Sequence, residues 1–159
     1  MMSPDSSATP TTDLFDPERY VMGESVGYLI SRARNTLAHS IEQEVSNLDI
    51  THAQASCLTM ISSGRASTVT DLGRELSTDM GSITRLLSRM EKRGLIERTR
   101  RDDDRRVIDL TLTPAGHALA AQLPAIFCKV MASHFHGFST EEVEALRSML
   151  RRVICNNSG

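Results

Sequence analysis

The sequence predicts a mainly α-helical fold that contains one small β-hairpin. Two observations carry this prediction: apolar residues recur every three or four positions over most of the chain, and the period changes to two between residues 95 and 112. The chain has 159 residues, enough for one domain. The expected order is four helices, the hairpin, a long helix and a last helix.

The first elements are an arm and a long helix. Residues 1–20 are rich in Ser, Thr, Pro and Asp and predict a flexible arm, because they offer little apolar surface to bury. Apolar residues from Glu24 to about Leu48 recur at helical spacing and predict one amphipathic helix. Its length suggests that it packs on more than its own domain.

Three shorter helices follow. The second should begin at Thr51, a capping residue type, and the third at a capping pair of Thr68 with Asp71. The fourth should begin near Asp79, only Ser-Thr-Asp beyond the third, and end before Gly94, which suits a left-handed cap. This spacing of the third and fourth helices matches a helix-turn-helix.

The hairpin separates these helices from two more. LIERTR and VIDLTL alternate in the manner of strands, and RRDDDRR connects them. Thr113 and Pro114 should start a long helix, which Pro124 should bend or interrupt. Ser139 should cap a last helix that has acids in its first turn and arginines in its last.

Charge is distributed unevenly along the chain. The net charge is −2, but residues 85–106 contain nine Lys or Arg and five acids, so this stretch carries +4 and the remainder −6. A basic stripe on an acidic body attracts phosphates at one surface only. Three cysteines without metal-like spacing favour a reducing compartment, and we expect no membrane helix and no signal peptide. The protein should therefore be cytoplasmic.

The predicted fourth helix has two distinct faces. Its apolar face contains Ile83, Leu86, Leu87 and Met90, and the opposite face contains small residues and arginines. The second face suits the major groove of DNA, because Arg reads guanine bidentately while Ser and Thr reach bases or phosphates. Arginines on an exposed helix can also be no more than a solvated surface.

The hairpin favours DNA binding over that simpler interpretation. A two-stranded ribbon after a recognition helix, with arginines at its tip, is the layout of a winged helix. The tip would reach a minor groove, where the concentrated negative potential favours arginine. The fold class is thus a winged helix-turn-helix flanked by long N- and C-terminal helices.

These residues resemble the MarR family of bacterial transcriptional regulators. The resemblance rests on ITHAQ, on VTDLGRELSTDMGSITRLLSRMEKRGLIER and on DDDRRVIDLTLTPAGHAL, and it covers most of the chain after the first twenty residues. It implies a homodimer formed by residues 21–50 and 114–156, with 51–113 as the DNA-binding domain. It also implies that the protein binds a pseudo-palindromic operator and usually represses transcription. A small aromatic acid or phenol would then release the protein from the DNA.

The resemblance also assigns roles to individual side chains. Five on the fourth helix would face the major groove: Ser82, Thr84, Arg85, Ser88 and Arg89. Arg98 and Arg100 would contact phosphates, and Arg105 and Arg106 would form the wing tip. Asp104 would hold a wing arginine by a charge-assisted hydrogen bond. A dimer should read half-sites whose centres lie about 10 bp apart.

A polar stripe on the first helix is the candidate effector site. It consists of Tyr28, Arg32, Asn35 and His39, and in the family architecture His52 would lie near it. Arg with Tyr and His suits an aromatic carboxylate or a phenol. The stripe can equally be a solvated face or make contacts between subunits.

Other classes of function find less support. A thiol sensor is the alternative within the family, but the first helix has no cysteine, and Cys57, Cys128 and Cys155 should be small core residues. We find no spacing typical of a catalytic, cofactor or metal site. A helical protein-interaction module would explain the long helices and leave the basic hairpin unexplained.

Overall fold

The computed structural model describes residues 14–156, which belong to two compact units, one ending at Thr36 and the other starting at Leu37. The first unit contains the short 3-10 turns Pro17–Arg19 and Met22–Glu24 and the beginning of helix α1 (Val26–Val45). Residues 1–13 of the predicted arm lie outside the described residues.

The second unit contains the end of α1 and the later elements. Their order is α2 (His52–Ser62), α3 (Val69–Leu76), α4 (Met80–Lys92), β1 (Ile96–Arg100), β2 (Ile108–Leu112), α5 (Pro114–Ala120), α6 (Leu123–His134) and α7 (Thr140–Cys155). The mainly helical class with a β-hairpin is thereby confirmed. The predicted interruption near Pro124 is confirmed too, because a turn at residues 121–122 separates α5 from α6.

Local capping explains where the helices begin. Within residues 14–156, three helix starts are capping boxes, in which the cap hydroxyl accepts from a backbone N–H and the third residue's side chain accepts in return. The pairs are Thr51 with Gln54, Thr68 with Asp71, and Ser139 with Glu142. The box of Thr68 with Asp71 is the one that the sequence predicts.

The core of the second unit gathers the apolar faces of its helices. Its fully buried side chains include Val45 of α1, Leu58 of α2, Leu72 of α3, Leu87 of α4 and Leu123 of α6. Each such side chain contributes about 1.5–3 kcal/mol by leaving water. This packing holds α3 and α4 as a helix-turn-helix whose remaining faces are exposed.

The hairpin is antiparallel, with Arg98 opposite Leu110 in the register. Its second strand also pairs with the segment before α3, through a bridge between Thr68 and Asp109 and a bond from the Leu110 N–H to the Ser67 carbonyl of 2.9 Å. The sequence does not predict this third pairing. It fixes the hairpin to the start of the helix-turn-helix.

A close backbone contact joins the hairpin to α5. Thr113 caps α5, and its hydroxyl donates to the Gly94 carbonyl over 2.5 Å. A Cβ on Gly116 would lie 2.0 Å from the Leu95 carbonyl oxygen, so only glycine allows this approach. Gly94 itself has φ +68° and ends α4 as the predicted left-handed cap.

The sequence predicts no membrane helix, and one stretch of the described chain bears on that expectation. Residues 114–134 form a stretch of 21 residues that is long and apolar enough to cross a membrane by length and composition. It is not an unbroken apolar run, because it contains His117, Gln122 and Lys129. In the fold, α5 and α6 place Ala120, Leu123 and Val130 in the core, which accounts for part of this apolar character.

Candidate nucleic-acid interface

Helix α4 presents one apolar and one polar face, as predicted. Ile83, Leu87 and Met90 are buried, whereas Arg85 and Arg89 are exposed. Asp79 caps the helix by accepting from the Ser82 N–H over 2.9 Å. Hydrogen bonds from Ser82, first that of its side chain and then that of its backbone N–H, lower the pKa of the Asp79 carboxyl. The capped end and the buried face fix the direction in which the arginines project.

The polar side chains of α4 differ in what they contact. The Arg85 guanidinium donates to the Ser82 hydroxyl over 3.0 Å, which draws it towards the start of the helix. The Thr84 hydroxyl donates to the Met80 carbonyl over 2.8 Å. Arg89 has no side-chain partner among residues 14–156. The Arg89 guanidinium is therefore not held by another side chain of the described residues.

The wing, residues 96–112, is stiffened by an ion pair across its strands. The Arg101 guanidinium donates to both carboxylate oxygens of Asp109, over 2.6 and 3.1 Å. The same pair raises the pKa of Arg101 and lowers that of Asp109. The sequence leaves the role of Arg101 open. In the structure its ion pair with Asp109 stabilises the wing.

The wing tip is a turn held by aspartates. The Asp104 carboxylate accepts from the backbone N–H of Arg106 over 3.0 Å, and the Asp103 carboxylate accepts from the Asp104 N–H over 3.0 Å. The predicted bond from Asp104 to an arginine side chain is wrong: the ion pairs of the described chain include none at Asp104, because its carboxylate caps the turn. Arg105 and Arg106 are exposed and have no ion-pair partner within 14–156.

Arg98 is occupied by contacts within the protein. Its guanidinium donates to the Glu91 carboxylate over 2.5 and 3.0 Å and to the Ser88 hydroxyl over 3.3 Å. Both acceptors lie on α4. By contrast, Arg100 is exposed and without a side-chain partner in the described part of the chain. The two arginines predicted to contact phosphate therefore have different surroundings.

The chain, with its helix-turn-helix followed by a hairpin that carries unpaired arginines at its tip, is similar to known proteins. Residues 50–108 match the MarR family. The multiple antibiotic resistance protein MarR of Salmonella typhimurium is 34% identical over 112 residues, which are 70% of this chain and 74% of that protein. The chain belongs to the MarR family. It is a DNA-binding transcriptional regulator with a winged helix-turn-helix, and members of this family are not enzymes.

Solved structures of MarR-family proteins share this fold. A cysteine-to-serine mutant of Escherichia coli MarR complexed with operator DNA matches with a TM-score of 0.74 and 28% identity, over 84% of this chain and 98% of that one. BpsR of Bordetella bronchiseptica, described as regulated in its DNA binding by 6-hydroxynicotinic acid, matches with a TM-score of 0.76 and 25% identity. That match covers 88% of this chain and 99% of BpsR.

The residues predicted to form an effector site belong to different units. Tyr28, Arg32 and Asn35 belong to the first unit, and His39 and His52 to the second. Asn35 accepts from Arg34, His39 lies 3.2 Å from the Gln43 amide, and the His52 backbone N–H donates to Glu42. Tyr28 also lines an open apolar cavity of about 830 Å³ beside Phe15 and Tyr20.

The cysteines differ from the prediction in two of three cases. Cys57 is buried in α2, and burial raises the pKa of its thiol to about 12, which keeps it unreactive. Cys128 and Cys155 are exposed, because the faces of α6 and α7 that carry them do not contact the core. The expectation that all three are core residues is therefore wrong for Cys128 and Cys155.

Proposed function

We propose that this MarR-family protein binds an inverted-repeat operator as a homodimer, represses transcription, and is released by a small aromatic carboxylate or phenol. The observation that carries the proposal is the pairing of two exposed basic elements, α4 and the wing tip, on a fold that E. coli MarR shares in its operator complex. Such elements suit adjacent major and minor grooves.

Each DNA-contacting element has a proposed role. On α4, Arg85 and Arg89 would read bases, while Ser82 and Thr84 would lie close to the groove through their positions on the same face. On the wing, Arg105 and Arg106 would enter the minor groove and Arg100 would contact phosphate. The lack of intramolecular partners for these three wing arginines in the described chain supports this division.

The homodimer is supported by apolar side chains that one chain leaves exposed. On α7 these include Met149, Val153 and Ile154, with exposed fractions of 53%, 52% and 68%. The first unit exposes Leu14, Phe15 and Met22, among others. Exposed apolar side chains in such numbers are typical of a protein interface. A second copy of the chain is the occupant that the family implies.

The effector part of the proposal rests on side-chain chemistry and on one relative. Tyr28, Arg32, Asn35, His39 and His52 offer donors for a carboxylate and a ring hydroxyl. BpsR, with the same fold, is regulated by 6-hydroxynicotinic acid, a hydroxylated aromatic acid. We propose a ligand of that class here, in a cytoplasmic protein.

The DNA-binding part is tested by Arg106→Ala. Because Arg106 lies free at the wing tip, its loss should weaken binding to the operator duplex by more than ~1 kcal/mol while the protein stays folded. Gel shift at fixed salt measures the affinity, and circular dichroism checks the fold. Unchanged affinity would remove Arg106 from the interface.

The effector part is tested separately. A panel of benzoates, hydroxycinnamates and pyridine carboxylates should contain a compound that raises the melting temperature and releases the operator. Arg32→Ala should abolish both effects of that compound and leave DNA binding intact. A panel with neither effect would contradict the proposed ligand class.

A further inference from the structure

Arg98 lies on the side of the wing that is directed towards α4. Side chains alternate along a strand, so Arg98 shares its face of β1 with buried Ile96, whereas Glu97 and Thr99 are exposed on the other face. Only 24% of the Arg98 side chain is exposed. A cation in this position is directed to a neighbouring helix and away from solvent.

Two residues of α4 accept hydrogen bonds from the Arg98 guanidinium. Glu91 accepts over 2.5 and 3.0 Å, and Ser88, almost one turn earlier, accepts over 3.3 Å. The guanidinium therefore spans a turn of the helix, and its planar group limits rotation of β1 about α4. Arg98 is also the leading cause that lowers the pKa of the Glu91 carboxyl.

We propose that Arg98 is a positioning residue, which together with Glu91 and Ser88 fixes the wing at a set angle to α4. This inference rests on the proposed function, in which α4 and the wing tip enter adjacent grooves. Both can engage one duplex only if their angle suits the DNA. Arg98 then acts on affinity through geometry, and the phosphate contact predicted for it from the sequence is not its role. Ser88 likewise serves the wing.

The two possible roles of Arg98 predict different effects on operator binding when Glu91 is replaced. If Arg98 positions the wing, Glu91→Gln should weaken operator binding about ten-fold although it removes a negative charge beside the DNA. If Arg98 contacts phosphate, Glu91→Gln should leave binding unchanged or tighten it. Glu97→Gln is the matched control: it removes the same charge on the opposite face of β1 and should weaken nothing.

Salt dependence and a double mutant sharpen the test. Loss of one phosphate contact reduces the slope of log Kd against log salt by about 0.9, whereas loss of a positioning residue leaves the slope unchanged. Arg98→Ala should therefore weaken binding about ten-fold with an unchanged slope, and Arg98→Ala with Glu91→Gln should be no weaker than either alone. A reduced slope, or additive losses in the double mutant, would overturn the proposal.

Hydrogen exchange tests the positioning without DNA. In the full-length protein, amides of residues 97–109 should exchange faster in Arg98→Ala and in Glu91→Gln than in wild type and Glu97→Gln. Equal exchange in all four proteins would refute the proposal. Failure of the wild type to prefer any inverted repeat would instead refute the proposed function and leave the exchange result to decide on Arg98.

Discussion

Cys57 shows how burial alone sets the chemistry of a side chain. The thiol lies in α2 with no exposed surface, and desolvation raises its pKa from an ordinary 9.0 to about 12. The folded protein therefore keeps the proton where an unfolded chain would lose it. This gives Cys57 a role in stability at alkaline pH and makes it a poor nucleophile.

Replacement of Cys57 should change the alkaline stability of the protein. Between pH 9 and about 12 the unfolded thiol is ionised and the folded one is not, so the stabilisation present below pH 9 is lost as pH rises. The free energy of unfolding should fall by about 1.4 kcal/mol per pH unit from this group. Urea denaturation at several pH values should show a shallower fall for Cys57→Ala, whereas Cys128→Ala, on an exposed face, should follow wild type. Identical profiles for all three proteins would refute this account.

The arginines of the basic stripe show what the sequence could not separate. All carry the same charge and lie close together in the chain, so charge and spacing do not reveal which of them pair with acids inside the protein. The fold gives Arg98 and Arg101 partners on other elements, Glu91 and Asp109, and leaves Arg105 and Arg106 exposed. Such pairings join residues seven or eight positions apart across a strand or a turn, and they depend on how elements pack.

The helices, in contrast, were largely predictable, because their ends are decided by local chemistry. Thr51, Thr68, Asp79 and Ser139 cap helices in the structure as their residue types predict. The hairpin followed from its period of two. The pairing of β2 with the segment before α3 was missed, since it joins residues about 40 positions apart and leaves no periodic signal.

The wing turn gives a prediction at the scale of one element. Asp104→Ala removes the acceptor of the Arg106 N–H and should loosen the turn, weakening operator binding by about 1 kcal/mol. Asp102→Ala removes the same charge from the same turn, where the carboxylate has no bond within the described chain, and should leave binding unchanged or slightly tighter. Fluorescence anisotropy with a labelled operator measures both. Tighter binding by Asp104→Ala would show that its carboxylate only repels DNA.

At the scale of the whole molecule, the proposed dimer would explain why so much apolar surface is exposed in one chain. Helix α7 has no buried residue and yet carries a row of apolar side chains. The hydrophobic core of the second unit does not include these side chains. A twofold dimer would cover them and would also place two recognition helices about one turn of DNA apart.

Met149 tests the dimer directly. Met149→Glu places a charge in the exposed apolar row of α7 and should shift the protein towards monomer, with loss of more than about ten-fold in operator affinity. Ser148→Glu adds the same charge at the neighbouring exposed position and should remain dimeric. Sedimentation velocity at micromolar concentration distinguishes the two. A dimeric Met149→Glu protein with normal affinity would place the interface elsewhere.

Selection from a random duplex library, followed by salt titration of the selected site, is the most direct measurement of the central claim that α4 and the wing read an operator. We expect an inverted repeat with half-site centres about 10 bp apart, bound at least ~10³-fold more tightly than a scrambled duplex, with affinity falling steeply as salt rises. Equal affinity for the selected and scrambled duplexes, or binding insensitive to salt, would contradict it.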